Sequence, residues 1–132
     1  MAKLQVFVVS PERELYSDEA DMVVARGVEG DVGILPGHAP MLIELGIAPL
    51  RIREDERDKQ VVLVDGGYLH VTPREEGTRI DVLAEHAQLP EEVDAADARA
   101  RAEELKRRAD EGEVDAAAEL SKALMRAEHG TR

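Results

Sequence analysis

Apolar residues recur along the chain in two different rhythms that meet near Gln88, Leu89 and Pro90. Before that point they come in short runs: Leu4 to Val9, Ala20 to Ala25, Val32 to Leu35, Met41 to Ile43, Pro49 to Ile52, Val61 to Val64, Tyr68 to Val71 and Arg79 to Leu83. Runs of this length and spacing, broken by Gly, Pro and acidic residues, predict the strands of an antiparallel sandwich or barrel. Turn chemistry lies between them. Gly27, Gly30, Gly33 and Gly37 supply positive φ or close approach, Gly66 and Gly67 open one run, and Arg74 to Gly77 makes a charged hairpin tip. Arg53 to Lys59 is polar throughout and predicts a solvated loop.

After Pro90 almost every residue is Ala, Leu or charged, the composition of good helix formers. Ala98, Ala102, Leu105 and Ala109 fall on one stripe of a helix whose first turn Pro90 can occupy. Asp97 with Arg101, Glu103 with Arg107 and Glu104 with Arg108 are acid-first pairs one helical turn apart, each worth about 0.2–0.5 kcal/mol. Gly112 interrupts this pattern. A second helix is expected from about Val114, with Asp115 in its first turn and Val114, Ala117, Ser121 and Leu124 on one face. A short connection makes the two helices an antiparallel hairpin, and facing Ala-rich stripes let them approach closely while burying little apolar area. The predicted fold class is therefore α+β, with an N-terminal antiparallel β-sandwich over 1–87 and a C-terminal antiparallel two-helix hairpin over 88–132. The thin seam makes the hairpin a candidate moving part.

Composition narrows the function. The chain has 132 residues, room for one full domain or a small domain with an appendage. Its 29 acidic residues against 17 Lys and Arg give a net charge of −12, and it has one Phe, two Tyr and no Trp. Nucleic acid is thereby excluded as a partner, since neither phosphate neutralisation nor base stacking is provided for. The absence of Cys excludes thiol catalysis, thiolate zinc sites and disulfides. Apolar runs such as Val6 to Val9 are too short to span a bilayer, so the chain is expected in the cytosol, reaching a membrane only through partners.

Catalytic chemistry is not expected either. His38, His70, His86 and His129 lie at no metal-binding spacing, and His38, between Gly37 and Ala39, reads as a turn residue bonded to backbone. Ser10, Ser17 and Ser121 sit in no nucleophile motif. The glycines at 27, 30, 33 and 37 precede no Lys-Ser or Lys-Thr and so make no phosphate loop. The residues alone describe an acidic sandwich with a labile helical hairpin, an interaction or regulatory module. A free-standing adaptor that captures a basic protein fits them as well as a subunit does.

Residues 30–42, GDVGILPGHAPML, closely resemble the epsilon subunit of bacterial F-type ATP synthases, whose signature there reads Gly-Glu-Leu/Phe-Gly-Ile-Leu/Tyr-Pro-Gly-His-Ala-Pro. Further matches follow in order: VVSPE over 8–12, DGGYLHV over 65–71, VLAE over 82–85 and AELSKA over 118–123. The resemblance covers essentially the whole chain. It implies a sandwich followed by a two-helix hairpin, and a non-catalytic rotor subunit of a proton-driven synthase at the cytoplasmic face of the bacterial membrane. The sandwich would bind the gamma subunit and the ring of c subunits, with Glu29, Asp31 and His38 on that side and Asp31 at the acidic position of the signature. The hairpin would extend toward the alpha/beta catalytic head and restrain ATP hydrolysis there, with Lys122 and Arg126 meeting the beta subunits because the first-helix arginines have acid partners of their own.

Some members hold ATP as a regulatory ligand through a motif of the form Ile/Leu-Asp-x-x-Arg-Ala. Here the matching residues are Val93, Asp94 and Ala98, but Asp97 stands where the motif has Arg. An anion replaces the cation that would meet a phosphate, so no cofactor is expected and ATP binding is expected to be weak or absent.

Overall fold

A computed structural model of the chain describes residues 3–132. It divides into two compact units between Ala87 and Gln88. The first contains β1 (Leu4–Val9), β2 (Glu14–Ala20), β3 (Met22–Gly27), β4 (Gly30–Ile34), β5 (Met41–Glu54), β6 (Arg57–Pro73) and β7 (Thr78–Ala84), and the chain leaves it through the two-residue β8 (Ala87–Gln88). The second contains a 3₁₀ turn (Pro90–Glu92), α1 (Ala95–Asp110) and α2 (Val114–His129).

The strands are ordered β2-β1-β7-β6-β5-β3-β4, with β8 also pairing β6. Every pair in that order is antiparallel except β1 with β7, which is parallel and therefore needs the whole intervening sandwich as its crossover. β6 meets β7 only through Gly67–Pro73, while β5 meets β3 mainly through Arg51–Arg53. The long β5–β6 hairpin thus runs through both layers and turns the corner between them. Its pairing steps past Gly46 and Gly66, between Leu45↔Gly67 and Ile47↔Asp65. Gly67 has φ +120°, and a Cβ there would overlap the carbonyl oxygen of Leu83. Only glycine fits that corner. Alternate residues point inward: Leu4, Val6 and Val8 on β1, Leu69 and Val71 on β6 and Ile80 and Val82 on β7 are all fully buried.

Four of the expected runs therefore merge into two strands. The polar stretch Arg53 to Lys59 is not a loop but the end of that hairpin, closed by Asp55 and Glu56 with φ +54° and +63°, the type I′ pattern. Its charges pair across the strands, Arg51 and Arg53 both meeting Asp58 at 2.8 and 2.9 Å. A solvated loop and an exposed hairpin end have the same polarity, and only the pairing distinguishes them.

The strand β2 was not expected, because its sequence ELYSDEA has no apolar alternation. It lies at the sheet edge with only Ala20 buried, and there its charge deters stray pairing. Lys59 fastens it, reaching Asp18 at 3.1 Å and the Glu19 carbonyl oxygen at 3.0 Å, and Lys3 meets Asp21 beside it at 2.7 Å. Burial works to lower the Lys59 pKa, but its bonds to Asp18, Glu54 and Tyr16 outweigh that and raise it. Asp18 and Asp21 are held below the usual carboxylate range, Asp18 first by the Glu19 amide and then by Lys59, Asp21 first by Lys3.

In the second unit Pro90 begins the 3₁₀ turn rather than the helix. Val93 is extended (φ −106°, ψ 120°), and α1 starts at Ala95 with Asp94 as its N-cap. The stripe on α1 is buried as expected at Ala98, Ala102 and Leu105. The face expected on α2 is the wrong one: Val114 is 86 % and Leu124 52 % exposed, and Ala117 and Ser121 face solvent. Ala116, Leu120 and Ala123 meet α1 instead. Those positions put one Leu between two alanines, which lets the α2 backbone come close to Leu105, the buried leucine of the seam. The ion pairs also differ from expectation. Arg101 meets Glu104 (3.8 Å), Arg107 meets Glu111 (3.4 Å) and Arg108 grips both oxygens of Glu113. Acids just past the end of α1 are reached by arginines of its last turn, a position that also suits the helix dipole.

Candidate functional site

The tight turn Val28–Glu29 between β3 and β4 and the first residues of β5 enclose a groove of about 400 Å³. Val28, Met41 and Leu42 give it apolar walls, and Glu29, Asp31 and Glu44 give it acidic ones. Gly27 lets the walls approach, since a Cβ there would lie 2.7 Å from Ile43 Cγ2. Asp31 accepts from Arg26 Nε across the hairpin at 2.9 Å with both side chains largely exposed, so the pair is worth at most about 1 kcal/mol and exchanges readily for another cation. Acids at the rim of an apolar groove suit a partner with apolar side chains flanked by Lys or Arg.

Glu29 and Asp31 are thus brought together, whereas His38 is not among the residues lining the groove. It sits in the turn after Leu35, its amide donating to the Leu35 carbonyl (3.1 Å) and its Nδ1 2.8 Å from the Ala39 carbonyl oxygen. Next to it the Gly37 amide donates to the buried Thr78 hydroxyl at 2.8 Å, which anchors the turn to the start of β7.

A second surface was not anticipated. Tyr68 lies opposite Leu83 on β7 and opposite Glu44 on β5, and Leu42 opposite His70, so these side chains share the outer face of one layer. Leu42 is 68 %, Leu83 57 % and Tyr68 49 % exposed. Three large apolar side chains on adjoining strands form a patch of the kind that marks a protein interface. Its signal in the sequence is slight, since the outward positions of β6 and β7 otherwise carry His70, Thr72, Arg79 and Asp81, and only Tyr68 and Leu83 break that polar pattern.

In the second unit the residues that match the nucleotide motif serve the helix start. Asp94 accepts from the Asp97 amide at 3.1 Å, and Val93 and Ala98 are buried, Ala98 on the same stripe of α1 as Ala102 and Leu105. Asp97 lies in the first turn of α1, where its charge meets the positive end of the helix dipole. Asp94-x-x-Asp97 is legible as an N-cap followed by a first-turn acid, a reading that needs no ligand. Lys122 and Arg126 are not left over as uncommitted cations. Lys122 reaches Glu119 at 3.4 Å, and Arg126 Nε donates to Gln88 Oε1 at 2.8 Å. A groove of about 770 Å³ along the hairpin is lined by Arg99, Lys106, Leu120 and Leu124 with Glu103 and Glu128. Among the described residues no three His, Asp or Glu side chains group as metal ligands.

Residues 3–90 match the family model described as "ATP synthase, Delta/Epsilon chain, beta-sandwich domain". The chain is 43 % identical to the ATP synthase epsilon chain of Brevibacillus brevis, over 82 % of this chain and 79 % of that one. It is 40 % identical to the ATP synthase epsilon chain of Chromohalobacter salexigens, over 94 % and 89 %. A chain in the cryo-EM structure of the Euglena gracilis mitochondrial ATP synthase (OSCP/F1/c-ring) has the same fold, with a TM-score of 0.78 at 18 % identity over 96 % of this chain and 79 % of that one.

Proposed function

The chain belongs to the ATP synthase epsilon family, and on that premise we propose that its sandwich joins the gamma subunit to the ring of c subunits while its hairpin restrains ATP hydrolysis. It is a non-catalytic subunit of the F-type complex, and no helix among the described residues is long and apolar enough to cross a membrane. Its place at the membrane is peripheral, through the complex. We place it on the cytoplasmic face.

The observation that carries the ring contact is the acidic groove at Glu29 and Asp31, which falls within the segment most like the family signature. The polar loops of the ring would enter it, exchanging their cations for Arg26. The exposed Leu42, Tyr68 and Leu83 support a second docking surface, on which we place gamma. His38 then acts through the shape of its turn rather than inside the groove. For the hairpin, Lys122 can leave Glu119 at little cost because the pair is exposed, whereas Arg126 must first give up Gln88. Lys122 therefore makes the readier contact with the beta subunits. The role of Asp94 as N-cap supports the absence of a regulatory nucleotide.

A Cys placed at position 31 tests the ring contact. Cross-linking to a c subunit in the assembled complex is expected, and a control Cys at the solvated position 75 should give none. Labelling at 75 but not at 31 refutes the groove as the ring site. Hydrolysis by the purified catalytic head is expected to fall when the full chain is added, and an unchanged rate refutes the restraint. Calorimetric titration with ATP is expected to give no saturable heat, and binding in the micromolar range refutes the reading of Asp94 and Asp97.

A further inference from the structure

The two helices of the hairpin are joined through Gly112 at one end, and at the other end the sequence provides a second closure. After α2 the chain does not drift away. Gly130 is extended (φ −65°, ψ 141°) and its amide completes the helix on the Arg126 carbonyl at 2.8 Å. The next two amides cross to the segment that leads into α1, Thr131 donating to the Pro90 carbonyl at 2.9 Å and Arg132 to the Val93 carbonyl at 3.1 Å. Pro90 O also accepts from the Val93 amide at 3.1 Å, so the 3₁₀ turn and the strap share one acceptor. Gly130 lies directly on Val93: a Cβ there would be 2.8 Å from Val93 Cγ1 and 2.7 Å from the Arg126 carbonyl oxygen. One turn back, the Arg126 guanidinium holds Gln88.

We propose that residues 130–132 form a latch that closes the open end of the hairpin, and that α2 can part from α1 only after this latch is undone. The seam alone is thin: of the described residues clustered in it, Leu105 and Leu120 are larger than Ala and the rest are alanines. Two backbone bonds, the Arg126–Gln88 bond and the Gly130–Val93 contact therefore hold a large share of the closure, and all four act between the same two short segments. Breaking one weakens the geometry of the others, which makes release stepwise in cause but abrupt in outcome. The chemistry that opens the latch is any that removes a strap amide or pushes Gly130 off Val93. The consequence for hydrolysis rests on the function proposed above; the latch itself does not.

Thr131→Pro tests it in the full chain. The substitution deletes one donor, and the ψ of Gly130 already suits a residue that precedes proline. Thr131→Ala keeps the amide and serves as the control. Read by hydrogen–deuterium exchange, Thr131→Pro is expected to speed exchange of the first turn of α1 and the last turn of α2 by about three- to tenfold, the range for one net hydrogen bond. Sandwich amides and the Ala variant should be unchanged. Gly130→Val, which drives a side chain into Val93, is expected to act in the same direction, and spin labels at the exposed positions 91 and 128 should then report a broader distance distribution. Unchanged hairpin exchange in both Thr131→Pro and Gly130→Val, or equal acceleration in Thr131→Ala, overturns the latch. In the assembled complex Thr131→Pro is expected to lower hydrolysis further. A loosened hairpin with unaltered hydrolysis would leave the latch standing and overturn the regulatory reading instead.

Discussion

Replacing Leu105 with Ala is the sharpest test of the second unit as a fold in its own right. Leu105 is 2 % exposed and packs on Ala102, Ala116 and Ala123, with Ala109 and Leu120 at the edge. The substitution removes the equivalent of three methylenes, about 2.4 kcal/mol at ~0.8 kcal/mol each. A cavity left behind would add to this, and buried Leu→Ala changes span about 2.7–5 kcal/mol. The alanines lining the site let the helices close partly around the gap, which places the expected cost near 3 kcal/mol. That is roughly a hundredfold in the opening equilibrium at 1.4 kcal/mol per decade. Hydrogen exchange on the full chain is the assay. Amides of α1 and α2 should lose about two decades of protection while those of β1, β6 and β7 keep theirs. If protection falls equally across both units, the hairpin is not a separate cooperative unit. If hairpin protection falls by less than threefold, Leu105 is not what holds the helices together, and the seam has been misjudged.

Further outcomes follow at two glycines and at the edge of the sheet. Gly67→Ala should abolish folding of the first unit, because φ +120° and the overlap with Leu83 act together, with an expected cost above about 4 kcal/mol; Gly112→Ala, at φ +92° but in open space, should cost only ~1 kcal/mol, and thermal melts compare them. The carboxyls of Asp18 and Asp21 are lowered in the folded chain, so the stability they contribute is complete above their ordinary value of 3.8 and is lost as pH falls through their lower folded values. An acid titration should therefore show edge strand β2 detaching below about pH 4, and 1 M salt should blunt the effect because these groups are exposed. Salt-independent detachment would show that Lys3 and Lys59 do not hold the edge.

The change of rhythm at Gln88 to Pro90, the inward residues of β1 and β7 and the stripe Ala98, Ala102 and Leu105 were all legible in the amino-acid sequence. They depend on local periodicity, which the chain carries without its partners. The segment 30–42 was likewise recognisable, because glycines and prolines in fixed order constrain the backbone wherever they occur. What local pattern could not decide was anything set by a partner distant in sequence. The polar β2 is a strand only because β1 lies beside it and Lys59 reaches over from another hairpin. Arg53 to Lys59 is a hairpin end only because its charges find each other across two strands. On α2 two stripes compete, each with one Leu, and the choice of Leu120 over Leu124 is made by the shape of α1. Arg126 looked like a cation left without a partner until the fold brought Gln88 to it. The separation of His38 from Glu29 and Asp31 has the same origin, since nearness along the chain says nothing about which wall of a groove a turn will build. Short-range periodicity thus determined the elements and their order, and long-range pairing decided which faces, charges and turns became surfaces for partners.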